Sequence, residues 1–291
     1  MIIESKEQVK TPKKNIIIGD PKMDTSSVIE FRGKGNILVA EENVRLSDSR
    51  IVFCGDNALV YLSSNTKHVY KIVLDAWRET TIYFGRDNYY NGALHAVISE
   101  RKNLIVGGNG VFSFGIWIRT ADPHLIYDIH TKQRINESKS VFIGDHVWLG
   151  QNALLLKGNR IGSGSIVSAA CVLSGKTVES NTIYAGNPGR MIKEDIFFSG
   201  ASVHNYTRKQ TKESRTFEGN NFIFENKNAL DMNRIDRELS KEKEAESRLE
   251  ILKDLLVSTE NEKNRFFIGR QGDKKTNQNQ GWLKRAFHKK G

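Results

Sequence analysis

From Ile143 the chain keeps a six-residue beat that few folds tolerate. In sixes it reads IGDHVW, LGQNAL, LLKGNR, IGSGSI, VSAACV, LSGKTV. The first place is Ile143, Leu149, Leu155, Ile161, Val167 and Leu173, apolar in all six. With 38% of residues hydrophobic, that run arises by chance at about 0.003. The second place holds Gly144, Gly150 and Gly162, with Ser168 and Ser174 in two others. The fifth, Val147, Ala153, Asn159, Ser165, Cys171 and Thr177, is small or β-branched. A helix would repeat at 3.6 residues and a half-buried strand at two. A period of six suits a three-sided coil whose sides are short strands. The first residue of each six points inward and the fifth fits a narrow corner. Asn152, Gly158 and Gly164 supply turn residues that accept positive φ. Hexapeptide periods of this kind signify parallel β-helices.

Upstream the pattern is ragged but similar in kind. Residues 28–118 are dense in Val, Ile, Phe and Tyr, with Gly, Asn and Asp between them, and read as earlier coils of the same solenoid. Stacked coils share one core, so roughly 200 residues can form one domain. Residues 119–139, RTADPHLIYDIHTKQRINESK, break the period and read as a loop extruded from one coil. After Arg190 the repeat stops. The expected organisation is an N-terminal extension over 1–27, a β-helix domain over 28–198 and a basic extension over 199–291. In the last, residues 228–263 predict an amphipathic helix with Ile235, Leu239, Leu249, Leu252 and Leu256 on one face. The polar tail from Asn264 reads as partly disordered and ends in GWLKRAFHKKG. The fold class is an all-β core with a C-terminal α-helical extension.

Composition excludes several classes. Cys54 and Cys171 are the only cysteines, too few for a disulfide framework or a four-cysteine zinc site. The first fourteen residues lack the apolar core of a signal peptide, and no run of about 18 apolar residues occurs. A cytoplasmic protein is therefore expected. The net charge is +10, of which +4 falls in residues 1–200 and +6 in the last 91. Such a balance suits phosphate-bearing ligands or anionic polymers without choosing among them.

Among seven histidines, His124 stands out because it lies in the DPH of the extruded loop. Near its ordinary pKa an imidazole can take a proton from a hydroxyl at neutral pH. Asp122 and Asp128 are near enough in sequence to orient it; a solvated loop histidine is the plainer reading. His146, in a corner position, and His130 are weaker candidates. No HExxH, CxxC, Walker loop or completed GxGxxG is present, so a metal or a dinucleotide is not expected.

The strings IGDHVWLGQNALLLKGNRIGSGSIVSAACVLSG and AGNPGRMIKE resemble the left-handed β-helix acyltransferases. WIRTADPHLIYD followed by IGDHVWLG is similar to bacterial O-acetyltransferases of capsular polysaccharide, including polysialic acid. The resemblance spans roughly 115–195. It implies a left-handed coil, a homotrimer and acetyl-CoA as donor, with no metal. It implies His124 as general base, with Trp148 lining the same site and holding the pantetheine arm. By the same resemblance Ser168, Ala169 and Lys176 border CoA along a prism edge, and Arg190 and Lys193 face its phosphates.

The implied function is O-acetyl transfer to a hydroxyl of a bacterial capsular or surface polysaccharide, such as a sialic acid polymer. Two alternatives stand beside it. One is an acetyltransferase for a small amino sugar or antibiotic; the other is a non-catalytic β-helix scaffold with a polyanion-binding tail. Trp282, Leu283 and Phe287 among Lys284, Arg285, Lys289 and Lys290 have the composition of a membrane-surface helix. They suggest peripheral attachment at the inner membrane or a capsule-assembly contact, and nucleic acid is not an expected partner.

Overall fold

The computed structural model describes residues 14–270 and the backbone of Ile2–Ile3. The GWLKRAFHKKG segment therefore lies outside the described residues. The chain winds into a left-handed parallel β-helix with three faces. Face one contains Val28–Phe31, Arg50–Phe53, Ile72–Ala76, Leu94–Ile98, Trp117–Arg119, Leu154–Leu155 and Val172–Leu173. Face two runs from Ile16–Ile18 through Ile37–Ala40, Leu59–Leu62, Thr81–Phe84, Asn103–Val106, Val141–Ile143 and Arg160–Ile161 to Thr177–Val178. Face three carries Tyr89–Tyr90, Val111–Phe112, Trp148–Leu149, Ile166–Val167 and Ile183–Ala185. The antiparallel strand Arg190–Lys193 closes that face. The first coil starts at Ile16, earlier than residue 28, because the short strand Ile16–Ile18 already pairs with Ile37–Val39.

The ragged upstream pattern has a geometric cause. Ile37, Leu59 and Thr81 stand in one column, as do Thr81 and Asn103, each step being 22 residues. Downstream, Phe142 pairs with Arg160 and Trp148 with Ile166, steps of 18, or three sixes. On faces one and two most upstream strands thus have four or five residues, and a fixed six cannot show through them. All six first-place residues from Ile143 to Leu173 are buried. Five of the six fourth-place residues, His146, Asn152, Gly158, Gly164 and Ala170, have positive φ; in the sixth coil Gly175, one place earlier, takes it. Thr177 is an exposed residue and not a corner filler. The corner after Leu173 is one residue shorter, so Arg160 pairs with Thr177, Ile161 pairs with Val178, and Val178 points inward.

On face two the strands ILVA, LVYL, TIYF and NLIV are buried on both sides, as sheets covered twice require. The cover is the C-terminal extension. It carries a short α1 (Arg208–Glu213), and in place of one helix over 228–263 there are α2 (Met232–Lys241) and α3 (Ala245–Leu252), continued by a π-turn Lys253–Val257. Asp231 caps α2 by accepting from the backbone N–H of Asn233 and Arg234. Glu242, in an extended conformation, ends it. The apolar stripe works across the break. Ile235, Leu239, Leu249, Leu252 and Leu256 pack with Phe266 on Ile37, Leu59, Tyr61, Tyr83, Ile105 and Phe142.

Candidate active site

The extruded loop leaves the prism at the corner between faces one and two. Its neck is tied by the Lys139 N–H donating to the Thr120 carbonyl. Beyond the neck it is a two-stranded arm: Ile135 N–H donates to the Ile126 carbonyl, and Asp128 N–H to that of Gln133. Asp128 serves the tip, accepting from the N–H groups of His130 and Thr131. Asp122 serves the base, where Lys157 Nζ sits 2.6 Å from its carboxylate. That ammonium, first, and the Asn136 amide hold the Asp122 carboxyl below its ordinary pKa. Neither aspartate bonds the ring of His124.

His124 is positioned through its backbone instead. The buried Asn136 amide donates to the His124 carbonyl at 2.8 Å and to Asp122, while its oxygen accepts from the Ile126 N–H. Lys157 also donates to the Asn136 carbonyl. Arg134 forks onto Glu100 at 2.7 and 2.8 Å, and Ser138 donates to the same carboxylate. Arg134 and then Ser138 pull Glu100 down to a pKa of about 2. The imidazole of His124 is thus exposed on a braced arm, and among the described residues no hydrogen bond claims its ring. The arm also exposes Leu125, Ile126, Tyr127, Ile129 and Ile135, each at least half accessible.

Trp148 stands elsewhere, on face three, at 39% exposure and 5.8 Å from the ring of Phe198. It pairs with Ile166 in the next coil. Two residues on, Gly150 meets Ser168 and Ala169 so closely that a Cβ there would lie 2.5 Å from the Ala169 nitrogen. The Ser168 N–H donates to the Tyr184 carbonyl, and Arg190 pairs with Ala185. Trp148, Ser168, Ala169 and Arg190 thereby follow the corner between faces three and one. Lys193 lies farther along the closing strand, paired with Ile183. Lys176 is not on this edge: it sits between Val172–Leu173 and Thr177–Val178, at the corner that carries the His124 arm. The candidate residues form two groups on two corners, and among the described residues no hydrogen bond or ring contact joins His124 to Trp148.

A cleft of about 1220 Å³ opens on face three beside Trp148, with walls from the extension. Its floor includes Asp145 and His146. Arg265, wholly buried, forks onto Asp145 at 2.9 and 2.8 Å. Burial alone would lower that guanidinium, but Asp145 outweighs it and holds the pKa above its ordinary value. His146 is sandwiched between Phe198 and Phe222, with ring centroids 4.0 and 4.5 Å away. Its Nε2 lies 2.8 Å from the Phe198 carbonyl. Burial is the main influence on His146 and lowers its pKa. The repeat marks His146 only as a weak candidate and gives no sign of Asp145. The available signal was a Cβ-bearing histidine at the left-handed fourth place, where Gly or Asn costs less.

No family model matches the chain. It is 32% identical over 108 residues to the polysialic acid O-acetyltransferase of Escherichia coli O1:K1, covering 37% of this chain and 35% of that protein. With the polysialic acid O-acetyltransferase of Neisseria meningitidis it shares 27% identity over 190 residues, 65% of this chain and 87% of that protein. The matched segment thus spans about a third of the first relative and most of the second. The crystal structure of the polySia-specific acetyltransferase NeuO superposes with a TM-score of 0.61 at 26% identity, covering 69% of this chain and 94% of that one.

Proposed function

We propose that this left-handed parallel β-helix is an acetyl-CoA-dependent O-acetyltransferase of the hexapeptide-repeat class. The acceptor is a hydroxyl of a bacterial capsular or surface polysaccharide, with a sialic acid polymer as the first to test. The observation that carries this reading is the braced arm, which presents an unclaimed imidazole, together with a Trp148 edge of small residues and exposed cations. The kinship with two polysialic acid O-acetyltransferases supports the choice of acceptor.

In the proposed reaction His124 takes the proton of the acceptor hydroxyl as its oxygen attacks the thioester carbonyl. The C–S bond then breaks, and the proton passes to the departing thiolate. Trp148 lines the pantetheine arm, Ser168 and Ala169 border it, and Arg190 and Lys193 meet the phosphates. Because the two groups of residues occupy different corners, a complete site joins one copy's His124 and Lys176 to the Trp148 edge of the next. The apolar side chains on the arm suit such a contact, and a closed ring of three gives three sites. Sedimentation equilibrium should return three times the 33.0 kDa chain mass.

Purified protein with acetyl-CoA and polysialic acid should release free thiol, and His124→Ala should abolish that release. An unchanged rate in the variant would remove His124 from the role. Faster release with monosaccharides or amino sugars than with polymer would move the acceptor to a small molecule.

A further inference from the structure

The cleft beside Trp148 is built jointly by the prism and the C-terminal extension, and the acyl-transfer reading leaves it without an occupant. Three successive coils carry left-handed residues at the corner between faces two and three: His146 (φ 53°), Gly164 (φ 76°) and Asn181 (φ 59°). Each receives part of the extension in a different way. His146 stacks between Phe198 and Phe222. Gly164 lets Phe224 approach so closely that a Cβ would stand 2.7 Å from its ring. Asn181 donates to the carbonyls of Ile196 and Phe222 and accepts from the Phe224 N–H. With Arg265 locked on Asp145, these contacts fix a wall beside Trp148, with the Phe198 ring 5.8 Å from it.

The lining names the chemistry of the occupant. Tyr89 and Trp148 expose their rings from face three, at 41% and 39%, and Phe198 and Phe222 add aromatic surface from the wall. Asn91 and Asn109 bring amides among them. Flat apolar rings beside amide groups fit the C–H faces and hydroxyls of pyranose sugars. At about 1220 Å³ the cleft exceeds the ~300–1,000 Å³ of a typical small-ligand pocket, so more than one sugar ring fits. The cations at its rim are already occupied: Lys67 pairs with Asp87, Arg86 with Glu260, and Lys263 donates to the Asn220 carbonyl. The excess positive charge of the chain is therefore not concentrated here.

We propose that this cleft binds several consecutive sugar residues of the oligosaccharide acceptor, by stacking on Tyr89, Phe198 and Phe222, and that the C-terminal extension is thereby its specificity wall. The inference rests on the acetyl-transfer reading of the Trp148 edge, because the occupied cleft delivers a hydroxyl there.

The test uses the full chain with acetyl-CoA and polysialic acid oligomers of two to eight residues, followed by thiol release and, separately, by calorimetric titration of the oligomer alone. Tyr89→Ala changes an exposed prism residue and leaves the wall seated, whereas Phe198→Ala removes the wall's ring. Each should raise KM for the octamer about five- to tenfold, with the loss falling in KM rather than kcat and KM for acetyl-CoA unmoved. The calorimetric Kd should shift in parallel, with weak dependence on salt. Thiol release with unchanged octamer KM in both variants would overturn the cleft while leaving the acetyl-transfer reading intact. A rise confined to KM for acetyl-CoA would place the donor there and overturn it too. If no glycan supports thiol release, yet octamer binding persists and is lost in Tyr89→Ala, the cleft stands and the reaction reading fails.

Discussion

The prism interior and the seat of the C-terminal extension are both well packed, but they are specified in opposite ways. Inside the prism each side chain meets its counterpart one coil away, so a local rule repeated along the chain builds the core. At the seat, contacts reach across 120 residues from Asp145 to Arg265 and 52 from His146 to Phe198. Each is unlike the others. The difference teaches that the repeat secures a fold shared with relatives, whereas this chain's individual cleft hangs on a few unrepeated contacts.

The comparison breaks most readily at its two extremes. Leu155→Ala should cost about 2–5 kcal/mol, since a fully buried leucine leaves a cavity that the stacked coils cannot collapse. Guanidinium denaturation should show the loss across the whole prism. Asp145→Ala strands the buried Arg265 guanidinium and should cost about 3–5 kcal/mol. That loss should fall on the extension: proteolysis should cut residues 200–270 first, while the prism stays folded. Simultaneous loss of both would show that they form one cooperative unit. A smaller effect is expected of Gly164→Ala, where the left-handed backbone costs about 1–2 kcal/mol and the new methyl meets Phe224. Hydrogen exchange should quicken around residues 222–226 and not at Leu155.

The smallest effect is a pH dependence peculiar to the seat. Burial depresses the pKa of His146 in the folded protein, so the unfolded segment binds the proton more readily. His146 therefore permits full stability above its ordinary value of about 6.5 and penalises the folded seat as pH falls below it. Proteolysis of the extension should quicken between pH 6.5 and 5, and His146→Phe should flatten that profile. An unchanged profile in the variant would assign the acid sensitivity elsewhere.

How much of this was legible in the chain follows from the range of each interaction. The sixes from Ile143 to Leu173 could be read because coil stacking imposes one rule every turn. The 22-residue coils obey the same physics with longer strands, so their period was blurred. The one-residue deletion before Val178 hid because Thr177 is as acceptable at a corner as on a face. The runs ILVA, LVYL and NLIV carry a sign of double burial in their unbroken apolar or aromatic residues, and the helices on face two are its cause. Of the candidate site residues, Trp148, Ser168, Ala169 and Arg190 share a corner, while His124 stands at another. Lys176 stands with the His124 arm because it follows the face-one strand Val172–Leu173, at the same corner that Gly158 occupies one coil earlier. Asn136, which braces His124, offered no pattern at all, since a single amide between loop strands has no periodicity.

The amino-acid sequence alone determined the solenoid, its inward residues, the extruded arm and the apolar stripe of the extension. These depend on contacts between neighbours along a regular path. The tertiary structure decided which face the extension covers, which corner each candidate residue occupies and where the cleft opens. Those outcomes depend on coil length and on single ion pairs or stacked rings between distant segments. Nothing in a local pattern encodes them, because each occurs once.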